Sequence, residues 1–186
     1  MHIGFAMCGS FCTYAKVFPV MRSLAREHTV IPIFSHSAYT IDSRFGTAME
    51  HIHTAADICG CEPLHTIAQV EPIGPRKMLD ILVIAPCTGN TLAKLAHSIA
   101  DTPVTMAAKS HLRNQRPVVI AVSTNDALAG AAANIGILLG KRNYYFVPFG
   151  QDDPAGKPSS MVADFSKIPP TLQAALEGQQ IQPILL

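Results

Sequence analysis

The stretch Ile81-Leu-Val-Ile-Ala-Pro-Cys-Thr-Gly-Asn90-Thr-Leu-Ala-Lys94 decides the fold of this chain. Ile81 to Ala85 is a continuous apolar run, the pattern of a strand buried on both faces. Leu92, Leu95, Ala96 and Ile99 then recur at helical spacing. Pro86 turns the chain, and Thr88, Gly89, Asn90 and Thr91 follow at the carboxyl end of the strand. Open α/β sheets bind ligands at that edge, where a helix N-terminus offers unpaired N–H groups to an anion. The stretch therefore points to a cofactor site.

The same alternation extends in both directions. Ile3 to Met7 reads as a short strand and Cys8-Gly9-Ser10 as a tight turn. Tyr14, Val17, Phe18, Met21, Leu24 and Ala25 then form one face of a helix. Pro19 inside that pattern is expected to kink the helix or delay its regular start. Thr29 to Phe34 is a second strand, running into Ser35-His36-Ser37, and Phe45 to Ile58 reads as a helix. Glu62 to Lys77 holds three prolines and a glycine and is expected to be an irregular crossing segment. Asp101 is placed as the cap of a short helix that Pro103 starts. Pro117 to Val122 is another buried strand, followed by Ser123-Thr-Asn-Asp126 and an Ala/Leu-rich helix through Leu139. Tyr144 to Phe149 is a further strand. Residues 150–163 read as a loop or lid, and 164–186 as a terminal helix (Asp164 to Glu177) and tail. Alternating strand and helix imply one α/β domain over residues 1–186, with a mostly parallel sheet covered on both faces.

Composition narrows the partners. Charged residues are 15% of the chain against 48% apolar, whereas about 25% charge is usual. Coverage of the surface by other subunits, a homo-oligomer, is the expected reason. A net charge of +1 gives no electrostatic case for nucleic acid or an anionic membrane. His2-Ile3-Gly4 opens into a strand without a basic leader, and no apolar run is long enough to span a bilayer, so a cytoplasmic protein is expected. The five cysteines (Cys8, Cys12, Cys59, Cys61, Cys87) lack paired C-x2-C spacing, so free thiols and no metal are expected.

Gly4-x4-Gly9-Ser10 is a small-residue turn without the Gly-Lys-Ser/Thr ending of a nucleotide loop and without G-x-G-x-x-G. It suits a monophosphate or a flat ring. Ser35 and Ser37 are expected beside Ser10 at the carboxyl edge, and two hydroxyl loops there favour phosphate. Asn90 and Asn125 follow two strong strands, and their amides match the edge of a heterocycle such as flavin or nicotinamide. His51-x-His53 places its rings on different helix faces, which argues against a metal pair. His36 and His65 are acid/base candidates. Arg44, Lys94, Lys109 and Arg113 are candidates to face an anionic ligand.

With Gly9-Ser10, Pro86-Cys-Thr-Gly-Asn-Thr91 and Val122-Ser-Thr-Asn125 in view, the chain resembles the family of homo-oligomeric FMN-binding flavoprotein decarboxylases. Within it, Arg44-Phe-Gly46, Met106-Ala-Ala-Lys109, Ala121-Val-Ser-Thr-Asn-Asp-Ala-Leu128, Tyr145-Phe-Val-Pro-Phe-Gly-Gln-Asp152 and Lys157-Pro-Ser-Ser-Met-Val-Ala163 are similar to the dipicolinate synthase branch, in its B subunits. The resemblance implies a three-layer Rossmann-like or flavodoxin-like fold and a part in oxidising a dihydrodipicolinate-type precursor. It also implies an A subunit as partner carrying NAD(P), a dicarboxylate substrate, and FMN, or phosphate in its place. Gly9, Ser10, Ser35, Ser37, Pro86, Thr88, Asn90, Thr91, Ser123 and Asn125 are the implied cofactor-binding set; Asn90, Asn125 and His65 are the catalytic candidates. An independent FMN-dependent decarboxylase or prenyltransferase and a non-catalytic assembly subunit are the alternatives. Cysteine decarboxylases of the family carry Pro-x-Met-Asn-x-x-Met-Trp; here Thr124 and Leu128 replace the methionines, and the chain has no tryptophan.

Overall fold

The computed structural model describes residues 1–186. Its centre is five parallel strands: β1 (His2–Met7), β2 (Thr29–Phe34), β3 (Ile81–Cys87), β4 (Val118–Thr124) and β5 (Tyr144–Phe146). They lie in the order β2-β1-β3-β4-β5. All seven residues of β3 are buried, because β3 is central and helices cover both of its faces. One side carries α1 (Tyr14–Ala25), α3 (Ala48–Cys59) and α8 (Ile168–Leu176). The other carries α4 (Ile67–Val70), α5 (Gly89–Ala96), α6 (Pro103–Leu112) and α7 (Ala132–Leu139). A short α2 (His36–Thr40) follows β2.

The parallel sheet is extended by two short antiparallel strands, β6 (Phe149–Gly150) and β7 (Met161–Ala163). β7 pairs with Ser123 and Thr124 at the end of β4, and β6 pairs with β7. The expected single strand from Tyr144 to Phe149 is therefore two. Val147 still donates to the Ile120 carbonyl at 2.9 Å, but Pro148 has no N–H to continue the ladder, and the chain turns to pair elsewhere. The expected lid over 150–163 ends in strand β7, so it is a flap pinned at both ends above the carboxyl edge.

Other element boundaries shift for identifiable reasons. α1 continues through Pro19, and the irregular start is a 3-10 turn at Phe11–Thr13. α3 begins at Ala48 rather than Phe45. Thr47 and Glu50 form a reciprocal capping box there, with Thr47 N–H donating to Glu50 Oε2 at 2.7 Å. Because Pro103 is the first helical residue of α6, the cap is its neighbour Thr102, whose hydroxyl accepts from Thr105 N–H at 3.2 Å. Asp101 instead takes the Lys94 ammonium at 2.6 Å. The crossing segment is more regular than its prolines suggest. α4 is capped by Thr66 with Gln69, and Gly74 docks on α6, donating to Ser110 Oγ at 2.8 Å and accepting from Asn114 Nδ2 at 2.7 Å.

Terminal residues close the far side. Asp164 caps a 3-10 turn at Phe165–Lys167 that leads into α8. Gln180 then pairs like a backbone strand with Phe146, accepting its N–H and donating to its carbonyl, both at 2.7 Å. No helix is long and apolar enough to cross a membrane.

Candidate active site at the carboxyl edge of the sheet

Three strand ends converge on one hydroxyl pair. Ser10, in the loop after β1, and Ser123, near the end of β4, share a hydrogen bond of 2.7 Å across the end of β3. Ser123 is only 3% exposed, so its hydroxyl has little recourse to water. Beneath this pair, Thr91 Oγ1 lies 3.2 Å from Thr88 Oγ1 and 3.3 Å from Cys8 Sγ. The Pro86 carbonyl accepts the Cys8 N–H at 3.2 Å, and the Tyr14 hydroxyl donates to the Cys8 carbonyl at 2.9 Å. Pro86, Thr91, Cys8 and Tyr14 thus form a buried platform that fixes the height of the hydroxyl pair. Burial pushes the Cys8 thiol up to about 11 and Cys87 well above the usual thiol range. Both remain protonated and unreactive.

Above the platform runs a crevice with two lobes. The inner lobe, about 440 Å³, is bounded by Gly9, Phe11, Arg44, Phe45 and Thr88. The outer lobe, about 470 Å³, is bounded by Thr13, Lys16, the flap at Gly150–Asp152 and β7. Ser10, Cys12, Ser123, Thr124, Asn125 and Lys157 line both. The inner lobe carries Arg44 and Lys157 and no carboxylate, so its field favours an anion. The Arg44 guanidinium lies 4.9 Å from the centre of the Phe45 ring, a cation–π contact that holds it at the rim. In the outer lobe the Lys157 ammonium is 3.4 Å from Asp152, whose carboxyl the Ser160 hydroxyl holds below its ordinary range.

The structure gathers some of the sequence candidates and separates others. Gly9, Ser10, Thr88, Ser123 and Asn125 line the crevice. Asn90 is exposed on the first turn of α5 and lines neither lobe. Pro86 and Thr91 lie beneath the crevice, in the platform. Ser35 spends its hydroxyl capping α2, accepting from Ala38 N–H at 3.2 Å. Ser37 backs Gly9, where an added Cβ would stand 3.3 Å from the Ser37 Cβ. His65 stacks on Tyr39, with ring centres 3.7 Å apart, and lines neither lobe. Of the cationic candidates, Arg44 faces the crevice, Lys94 is paired with Asp101, and Lys109 and Arg113 border a separate hollow with Glu71. Lys16, on α1, and Lys157 were missed; for Lys157 only the antiparallel return of β7 brings the flap back over the strand ends. No three His, Cys, Asp or Glu side chains converge as a metal site.

Hydroxyls, one amide, a guanidinium and an ammonium around a slot with aromatic walls fit a flat, anionic heterocycle. Residues 1–134 match the family model described as Flavoprotein. The chain belongs to the flavoprotein family. Among related flavoproteins, the dipicolinate synthase B subunit of Bacillus subtilis (strain 168) is 45% identical over 185 residues, covering 99% of this chain and 92% of the relative. The crystal structure of the corresponding dipicolinate synthase B subunit from Bacillus halodurans has a TM-score of 0.91 at 45% identity, over 100% of this chain and 95% of that one. An FMN-dependent cysteine decarboxylase, SpaF, shares the flavoprotein fold, with a TM-score of 0.69 at 24% identity over 94% and 97% of the two chains. The flap and Lys157 lie beyond the residues matched by the family model. They fall within the segment shared with the dipicolinate synthase relatives.

Proposed function

We propose that this chain is the B subunit of a dipicolinate synthase and takes part in oxidising a dihydrodipicolinate-type precursor to dipicolinate. The observation that carries the reading is 45% identity over 99% of the chain, because it includes the flap that forms the outer lobe. The inner lobe is the cofactor end. Gly9 and Ser10 would meet the cofactor's flat part or phosphate, Thr88 and Asn125 its polar edge, and Arg44 its negative charge. FMN bound there would supply a two-electron acceptor. The family relation and this donor set support FMN; NAD(P) belongs, on this reading, to an A subunit that docks against the chain.

The outer lobe is the substrate end. A pyridine-type dicarboxylate carries two anionic groups on a flat ring, and Lys16 and Lys157 are the cations that border this lobe. Lys157 is 54% exposed in its contact with Asp152, so exchanging that carboxylate for a substrate carboxylate costs little. Neither lobe is lined by a histidine. The chain's own residues therefore bind, orient and exclude water, and the Ser10–Ser123 pair is the hydroxyl donor set placed where the lobes meet. The low charge content and exposed Leu128, Ile137 and Leu139 around α7 (52%, 41% and 48%) support assembly with further copies.

The test is reconstitution. Purified A subunit with NAD(P) is expected to form little dipicolinate from its precursor, and adding this chain is expected to restore the rate. No gain on mixing would refute the proposal. Restoration that survives both Asn125→Ala and Lys157→Ala would leave the chain an assembly subunit only.

A further inference from the structure

Behind the inner lobe lies a buried polar atom that the proposed function does not use. His51 on α3 is 7% exposed, and its Nε2 has no hydrogen-bond partner. Three aromatic rings box it in. Tyr14 stands edge-on at 4.7 Å, Phe18 is tilted at 6.0 Å, and Phe11, a wall of the inner lobe, lies nearly parallel at 6.4 Å between ring centres. The open side of the box is closed by Gly46. A Cβ added there would stand 2.8 Å from His51 Cε1 and 3.1 Å from Nε2, and Gly46 holds φ +126, so only glycine seats against the ring.

Gly46 ends the tight loop that carries Arg44 and Phe45. The loop is tied by Ser43 N–H to the Gly46 carbonyl at 3.0 Å and by Gly46 N–H to the Ser43 carbonyl at 3.2 Å. The same point above Gly46 is crowded by Glu50 Oε2, 3.3 Å from the added Cβ. That carboxylate oxygen accepts from Thr47 N–H and, at 3.0 Å, from the Thr47 hydroxyl, which fixes the end of the loop. We propose that His51 is a positioning residue: its neutral ring seats Gly46 and so holds Arg44 and Phe45 against the inner lobe, and protonation of the ring releases them.

The chemistry follows from the neighbours. Burial disfavours the charged ring and holds its pKa below 6.5, opposed by the negative charge of Glu50. Tyr14 from α1 also packs on the ring, its hydroxyl committed to the Cys8 carbonyl, while in the loop Asp42 Oδ1 accepts from Ala48 N–H and the Arg44 guanidinium lies on Phe45. An imidazolium has an N–H at Nε2 that must find an acceptor or bear the full cost of desolvation. The acceptors close to Gly46 are its own carbonyl and Glu50 Oε2, the two groups that maintain the loop. Proton uptake therefore competes with the bonds that shape the anion-binding wall.

This inference rests on the inner lobe being the anion site, and its test separates the two. The chain has no tryptophan, so Phe45→Trp reports the loop alone. Its emission is expected to shift in one step as the pH is lowered from 7.5, with a midpoint below 6.5, while far-UV circular dichroism stays constant. The step should vanish in Phe45→Trp combined with His51→Gln, or with His51→Phe, which fills the aromatic box. In the chain that keeps Phe45, FMN affinity should fall roughly tenfold more across that step than in His51→Gln. An emission step that persists in the His51 variants, or no step in a folded Phe45→Trp chain, overturns the proposal. If neither double variant folds, the His51 ring followed by NMR in Phe45→Trp must titrate with the emission step. Failure of FMN to bind at any pH would refute the reading of the inner lobe and leave the emission result to decide the role of His51.

Discussion

Replacing Ser123 by alanine removes one half of the hydroxyl pair where the two lobes meet. A hydrogen bond of this kind contributes about 1 kcal/mol net. The hydroxyl left without its partner is that of Ser10, which is half-buried at the crevice and can turn to water. The stability cost is therefore at the low end, roughly 0.5–1 kcal/mol, or about 1–4 °C for a chain of this size. Ser10→Ala should cost more in stability, because it strands the buried Ser123 hydroxyl, and should also lower ligand affinity, because the Ser10 hydroxyl faces the crevice. The two substitutions share the 2.7 Å bond, so the double variant should be less damaged than the sum of the singles, by roughly 0.5–1 kcal/mol. Urea unfolding of the four proteins measures this coupling, and FMN titration of the same set measures the loss of affinity. Additive stabilities within error, or unchanged FMN affinity in Ser10→Ala, would refute the assignment of the pair to the site.

Other consequences can be checked separately. Asn125→Ala should weaken FMN binding several-fold, while Asn90→Ala, exposed on α5, should leave it within about twofold; isothermal titration decides. Cys12 is exposed on the wall of both lobes, so it should react first with iodoacetamide and be shielded by FMN. Cys8 and Cys87 should react only on unfolding, a pattern readable by mass spectrometry. His111 is 1% exposed with Nε2 3.1 Å from the Pro117 carbonyl, and burial lowers its pKa to about 4. The unfolded chain takes up that proton below about 6.5 and the folded chain only near 4. Stability is thus full above pH 6.5 and falls by about 3 kcal/mol as pH drops towards 4. His111→Gln, which retains a donor for Pro117, should flatten this slope in urea unfolding measured across the range.

The central sheet was legible because buried parallel strands are written as unbroken apolar runs, and Ile81–Ala85 and Val118–Val122 cannot be read otherwise. The Ser10, Thr88 and Asn125 side of the crevice followed from that, since parallel neighbours end at the same edge. Two things were hidden. Hydroxyls that serve backbone caps are indistinguishable in sequence from hydroxyls that serve ligands, and Ser35 proved to cap α2. Asn90 and Asn125 look equivalent as strand-end residues, yet the first helical turn of α5 rotates Asn90 outward while the turn after β4 leaves Asn125 at the crevice. The flap was the second gap. Phe149–Gly150 and Met161–Ala163 are too short to carry a period, and their pairing with each other and with Ser123 depends on contacts that span the flap. With that pairing unread, Lys157 had no reason to be placed beside Ser10.

The most direct test is an absorption spectrum of the purified chain after incubation with FMN and removal of free flavin by gel filtration. Retention of about one flavin per chain, lost when Arg44 and Asn125 are both replaced by alanine, is the expected result. A flavin-free chain that still restores dipicolinate formation with the A subunit would contradict the assignment of the inner lobe to FMN.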